Sequence, residues 1–349
     1  MLPERLGAGP GWTLVGGKGG VGKTTVAAAL AVALADAGGR VLALSTDPAH
    51  SLGDALGTPL GPEPVPVPGV PGLEALEVDA ERERARFLER HRGTLARLVE
   101  RGTLLAPDDA DGFLDLALPG MDELGAMLRL LDLADSGPGL RVVVDTAPTG
   151  HALRLLDLPR TAAGWIAALE AMEARHRDVA LALAGAYRPD AAALDLASLR
   201  ADVERFAALL ADPARTRFVL VTTPEPVVLA ETRRYLEALR ERGIAVGAVV
   251  VNRVAAGDAV AGVDLGTLAE GVPVVGIPLL AEEPVGIGGR RRVEAGSVRL
   301  AAPHPPAPSP TGGEGEQDGV VGEERPRGDS PPPERGRVAA PRPPGGAPP

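Results

Sequence analysis

The sequence predicts an α/β fold, a mostly parallel sheet flanked by helices and carrying an inserted helical subdomain. Three observations lead there. Short β-branched runs recur at Trp12 to Val15, Val41 to Ser45, Arg141 to Val144, Phe218 to Val221, Val246 to Val251 and Val274 to Ile277, with longer helical patterns between them. Near-continuous apolar strands separated by helices suit a parallel sheet covered on both faces. The first run leads into a glycine-rich segment and an apolar helical pattern from about Thr24 to Ala37, which Gly38-Gly39 stops. Two stretches, roughly Asp79 to Asp135 and Arg160 to Asp212, break the alternation with helical patterns only. Their apolar positions include Trp165, Leu169, Met172, Val179 and Leu183, then Leu199, Val203, Phe206 and Leu210. These are expected to form the helical subdomain over one end of the sheet. Gly69 to Gly72 and Pro107 to Asp111 read as loops.

Composition narrows the function. The chain has 349 residues, 45% apolar and 24% charged, enough to bury a substantial core. There is no cysteine, which excludes thiolate metal sites, iron-sulfur ligation and a cysteine nucleophile. A net charge of -11 and 2% aromatics give no footprint for nucleic acid. No run approaches the roughly 18 apolar residues of a membrane span, and Met1 to Gly11 lacks a signal-peptide core. The expectation is a soluble cytoplasmic protein, not an integral membrane protein. Residues 301–349 hold 14 Pro and 9 Gly and are predicted to be a disordered tail, leaving residues 1–300 as the folded domain.

Of the 36 cationic side chains only two are lysine, Lys18 and Lys23, and both fall in the glycine-rich segment. An ammonium kept where every other position has become arginine points to a role that a guanidinium does not fill. Gly17 to Thr24 fits G-x-x-x-x-G-K-[ST], directly after a strand and opening a helix, as a phosphate-binding P-loop requires. Glycines let the backbone of Gly17, Lys18, Gly19, Gly20, Val21 and Gly22 wrap a polyphosphate, and the helix start at Lys23, Thr24 and Thr25 adds its dipole. Lys23 is expected to reach the β and γ phosphates of ATP, and the Thr24 hydroxyl to bind Mg2+. Lys18 comes too early in the turn to duplicate Lys23, so it is either a surface charge or a charge for a phosphate held by a neighbouring subunit.

Two acids follow strands. Asp47 closes the second run and can orient a water, while Asp145 ends the strand Val142 to Val144 as a Walker B carboxylate does, holding Mg2+ through water. A lone strand-end Asp is often only a helix cap; two after a P-loop fit that reading poorly. Asp47, Pro48 and His50 form a first candidate switch, and Asp145, Thr146 and His151 a second. The two histidines read as coupling residues more readily than as catalysts.

The run Gly17-Lys18-Gly19-Gly20-Val21-Gly22-Lys23-Thr24-Thr25 resembles the deviant Walker A signature. Ser45 to Leu52 and Asp145 to Pro159, with Val221 to Glu225, Glu231-Thr232, Val251-Asn252 and Gly276 to Pro278, are similar to the ArsA-type branch of that family. That branch contains arsenite-pump ATPases and the targeting ATPases for tail-anchored membrane proteins. The resemblance implies a homodimer sandwiching ATP, with Lys18 acting across it, and a membrane-protein client or transporter subunit as partner. It also implies that Asn252 hydrogen-bonds adenine and Pro278 flanks it.

The chain departs from the pattern in three places. Without cysteine it has neither thiol arsenite ligands nor a C-x-x-C zinc clamp. Its helical region offers few methionines, Met121, Met127 and Met172, so a substitute client groove would be built from Leu124, Leu128 and Leu131. The segment after Pro284 lacks the closing apolar helix of the family. The competing reading is a positioning ATPase of the MinD or ParA kind, but those use an amphipathic C-terminal helix or a basic surface, which this chain does not show. A non-hydrolysing module would need a broken lysine or acid, and Lys18, Lys23, Thr24, Asp47 and Asp145 are all present.

Overall fold

The computed structural model of the chain describes residues 2–6, 11–47, 51–102, 121–134, 137, 139–255 and 271–301. Its strands are β1 (Trp12–Gly17), β2 (Arg40–Ser45), β3 (Val65–Pro66), β4 (Leu73–Glu77), β5 (Leu140–Asp145), β6 (Thr216–Thr222), β7 (Val246–Val254), β8 (Val274–Pro278) and β9 (Val298–Ala301). They form one sheet in the order β3-β4-β2-β5-β1-β6-β7-β8-β9. Strands β4 to β8 in that row run parallel, and only the edges β3 and β9 pair antiparallel to their neighbours. The six β-branched runs of the sequence are all strands of this sheet. β1 lies at its centre, between β5 and β6, so the loop leaving β1 opens in the crevice where successive crossovers diverge.

The alternation of side chains across the strands builds two cores. On one face Leu14, Leu44, Val144 and Leu220 join the large helical layer; on the other, Val15, Ala43, Val143 and Val221 pack on the helix α1 (Leu2–Arg5), α2 (Lys23–Asp36) and α3 (Ser51–Leu56). α2 is buried from Val26 to Ala35 without a polar stripe, which explains its run of small alanines. A helix wedged between a sheet and further helices on every side has no wet face to keep polar.

The helical layer consists of α4 (Ala80–Gly102), α5 (Met121–Ala134), α6 (Thr149–Ala184) and α7 (Ala191–Ala211). α5 lies close on α4: a methyl at Gly125 would sit 2.7 Å from the Glu83 carbonyl carbon. Leu199, Val203, Phe206 and Leu210 of α7 are buried, as a core stripe should be. Leu124 and Leu131 are buried as well, so they belong to this packing and do not line the substitute groove expected of them. The stripe on α6 ends early, since Leu169 is buried while Val179 is 51% and Leu183 84% exposed.

Two segments differ from expectation. α6 begins at Thr149 and runs unbroken through Pro159, whereas the helical stretch was expected from roughly Arg160. The proline removes one backbone donor, but Asp157 beside it is anchored by Arg242 through bonds of 2.8 and 2.7 Å. The stretch after Pro284 does form a helix, α9 (Gly286–Gly296), although it is not apolar. Gly289 and Val293 bury against the sheet side, and the guanidinium of Arg291 pairs with Asp36 at the end of α2. One more helix, α8 (Pro226–Glu241), follows β6. No described helix is long and apolar enough to cross a membrane.

Candidate active site

The phosphate loop joins β1 to α2 with the backbone that its glycines were expected to allow. Gly17, Gly20 and Gly22 have φ of 152°, 81° and 96°, values that side-chain-bearing residues avoid. Two of them also lack room. A methyl at Gly17 would lie 2.2 Å from the Val221 carbonyl oxygen, and one at Gly22 would lie 2.3 Å from Nδ2 of Asn252. Gly22 is the N-cap of α2 and offers no side-chain cap, so the first-turn N–H groups stay free for an anion.

Lys23 is buried, and its Nζ donates to the Lys18 carbonyl oxygen at 3.4 Å. Burial holds its pKa below the ordinary lysine value, while the carboxylates of Asp145 and Asp47 pull it back up. Asp145 ends β5 with 1% exposure, and neither of its oxygens has a hydrogen-bond partner. Burial pushes its pKa up to about 7, against the downward pull of the nearby Thr24 hydroxyl, the Lys23 ammonium and the Ser45 hydroxyl. A desolvated carboxyl with both oxygens unpaired, next to a hydroxyl and facing a phosphate loop, fits a hard cation that prefers oxygen ligands and retains its waters.

Asp47 is half-buried at the end of β2, with its N–H donating to Ser45 Oγ at 3.1 Å. Thr146 is buried; its N–H and its hydroxyl both donate to the Val15 carbonyl oxygen, at 3.0 and 2.9 Å, tying the strand-end acid to the root of the P-loop. The structure therefore brings Lys23, Thr24, Asp47, Asp145 and Thr146 to the C-terminal ends of β1, β2 and β5. Pro48 and His50 lie outside the described residues. His151 falls in the first turn of α6, and its side chain is likewise outside them.

Lys18 is half-exposed at the mouth of the loop, and its Nζ pairs with Oε2 of Glu231 on α8 at 2.8 Å. Asn252, expected on the adenine, turns its amide to the loop: Nδ2 donates to the Val21 carbonyl oxygen at 2.9 Å, and Oδ1 accepts from the N–H of Arg253 at 3.0 Å. Arg253 has a positive φ of 60° where β7 and β8 slip register, and Pro278 sits beside that irregularity, paired with Val254. Three participants carried no assigned role in the sequence reading. Ser51 Oγ stands 3.1 Å from Thr24 Oγ1, Glu231 holds Lys18, and Ser45 holds the Asp47 backbone. The signal for Ser51 was its place directly after the first switch; nothing in the spacing pairs Glu231 with Lys18.

A profile of the anion-transporting ATPase family, ArsA, matches residues 11–262. The chain belongs to the ArsA-type ATPase family. It is 32% identical over 323 residues to the ATPase GET3 of Malassezia globosa, covering 84% of this chain and 92% of that one. It is also 32% identical over 341 residues to the ATPase ARSA2 of Chlamydomonas reinhardtii, covering 89% and 90%, and 34% over 252 residues to the ATPase GET3A of Arabidopsis thaliana, covering 70% and 67%. This ArsA-type chain is thus an ATP-binding ATPase, and the cluster at the ends of β1, β2 and β5 is its candidate active site.

Proposed function

We propose that the protein hydrolyses ATP with Mg2+ between two copies of the chain, and that the cycle does mechanical work on a membrane-directed partner. The observation carrying this is the unpaired, buried Asp145 carboxylate beside Thr24 and Lys23 at the mouth of the P-loop. The loop N–H groups and Lys23 bind the β and γ phosphates. Thr24 and Asp145 would hold Mg2+, which would supply charge neutralisation on the phosphate oxygens. Asp47 orients the attacking water. Lys18 leaves Glu231 and neutralises developing charge on the nucleotide of the opposite copy. Asn252 and Pro278 flank the adenine, Asn252 using the hydrogen-bonding capacity left after Val21 and Arg253. Thr146, His50, Pro48 and His151 transmit the nucleotide state to the helical layer.

The partner class is a membrane-protein segment of the tail-anchored kind. The exposed Val179, Leu181 and Leu183 at the end of α6, with Leu194 on α7, support it by offering apolar surface at the tip of the helical layer. The test uses Lys18→Ala and Asp47→Ala. Both keep ATP affinity within a few-fold and lose at least about a hundredfold in turnover; full activity in both refutes the assigned roles. Capture by Asp47→Asn loaded with ATP then separates a tail-anchored client from a transporter subunit.

A further inference from the structure

A hydroxyl that offers a lone pair to a cation must direct its proton elsewhere, so its rotor has to be fixed. In this site the hydroxyl is that of Thr24. Ser51 Oγ lies 3.1 Å from it, inside hydrogen-bonding range and on the opposite helix. Ser51 is the first residue of α3, and two backbone points hold that helix. Glu77 Oε1 accepts from the Gly53 N–H at 3.0 Å in the buried interior. Arg290 on α9, itself 4% exposed, donates from Nε to the Ala55 carbonyl oxygen at 2.8 Å. The chain leaving α3 folds back closely on Gly53, where a methyl would lie 2.9 Å from the Thr58 carbonyl oxygen. The Ser51 hydroxyl is therefore carried on a braced element.

We infer that Ser51 is a positioning residue for the metal: its hydroxyl fixes the direction of the Thr24 hydroxyl, and through that contact α3 is registered against the ion. The inference rests on the magnesium reading above. It differs from a purely structural serine at a helix start, which would affect stability whether or not metal is present.

The full chain is compared with Ser51→Ala and Ser51→Thr. Each is saturated with a fluorescent ADP analogue and titrated with Mg2+, and analogue affinity is also measured in EDTA. Ser51→Ala weakens the apparent Mg2+ affinity about fivefold, the order expected for one lost hydrogen bond, and leaves the EDTA affinity within twofold. Ser51→Thr restores the parental Mg2+ affinity within twofold. A parent that responds to Mg2+ with a Ser51→Ala variant matching it within twofold overturns the inference and spares the magnesium reading. An equal loss in EDTA also overturns it, assigning Ser51 to packing. A parent indifferent to Mg2+ overturns both.

Discussion

Gly22 and Asn252 are 230 residues apart in sequence and share one small volume, which allows a quantitative test of the loop. Gly22→Ala places a methyl 2.3 Å from Nδ2 of Asn252, in a residue with φ of 96°. The left-handed backbone alone costs an alanine about 1–2 kcal/mol. Pushing the amide aside breaks its bond to the Val21 carbonyl oxygen and strands a buried acceptor, another ~1–3 kcal/mol. The single variant therefore loses about 2–5 kcal/mol. Asn252→Ala loses the same hydrogen bond by another route and costs about 1–3 kcal/mol. Because the amide is lost only once, the double variant is more stable than the sum of the two by about 1–3 kcal/mol. Urea unfolding of the four proteins gives the cycle, and ADP affinity measured in parallel falls with Gly22→Ala. Additivity within about 0.5 kcal/mol would falsify the geometry of this contact.

Three further perturbations read other parts of the molecule. Asp145 has an ordinary carboxyl pKa of 3.8 when unfolded and about 7 in the metal-free fold. Its penalty is absent below pH ~4, grows as pH rises through the interval and reaches about 4 kcal/mol above pH 7. Asp145→Asn is accordingly more stable than the parent at pH 8 without metal and indistinguishable near pH 4, as denaturant midpoints at the two pH values show; equal gains at both would contradict the burial cause. Glu231→Gln releases Lys18 from a half-exposed ion pair worth at most about 1 kcal/mol. It shifts thermal unfolding little and raises phosphate release no more than about fivefold; a fall in turnover would instead make Glu231 part of the reaction. Arg101 bonds Glu173 at 3.1 Å and also pairs with Asp190, whose carboxylate accepts from the Ala193 N–H as the N-cap of α7. Arg101→Met costs about 1–3 kcal/mol in urea unfolding and leaves ADP affinity unchanged, since the network lies away from the P-loop.

What the sequence made legible was chemistry tied to short spacing. The strand, glycine turn and helix around Gly17 to Thr25 can be read because only three glycines in the left-handed region let the chain make that turn. Asp145 could be read because an apolar strand stopped at an acid. Contacts between distant segments could not. The Glu231 partner of Lys18 and the Asn252 amide over Val21 arise from crossovers between β1, β6 and β7, which local pattern does not encode. The edge strands β3 and β9, and β4 beside β3, were missed because two to five residues give too short a run for alternation to show. α9 was missed because its glycines score poorly as a helix alone, and packing against α2 and α3 overrides that preference. The Leu124 and Leu131 surface was misjudged for the same reason: an apolar stripe does not say which neighbour covers it.

The scarcity of lysine turns into a practical handle on the proposed pairing of two copies. Lys23 is sunk in the interior with its basicity depressed, so Lys18 is the one side-chain amine of this polypeptide standing in water. With the α-amino group of the chain blocked, amine-directed reagents applied to the native protein are thereby focused on a single side chain at the mouth of the nucleotide loop. A short bis-electrophile would test the proposed pairing of two copies: coupling through Lys18 and Lys18 in the presence of nucleotide supports facing loops, and failure to couple at any stage of the nucleotide cycle counts against them.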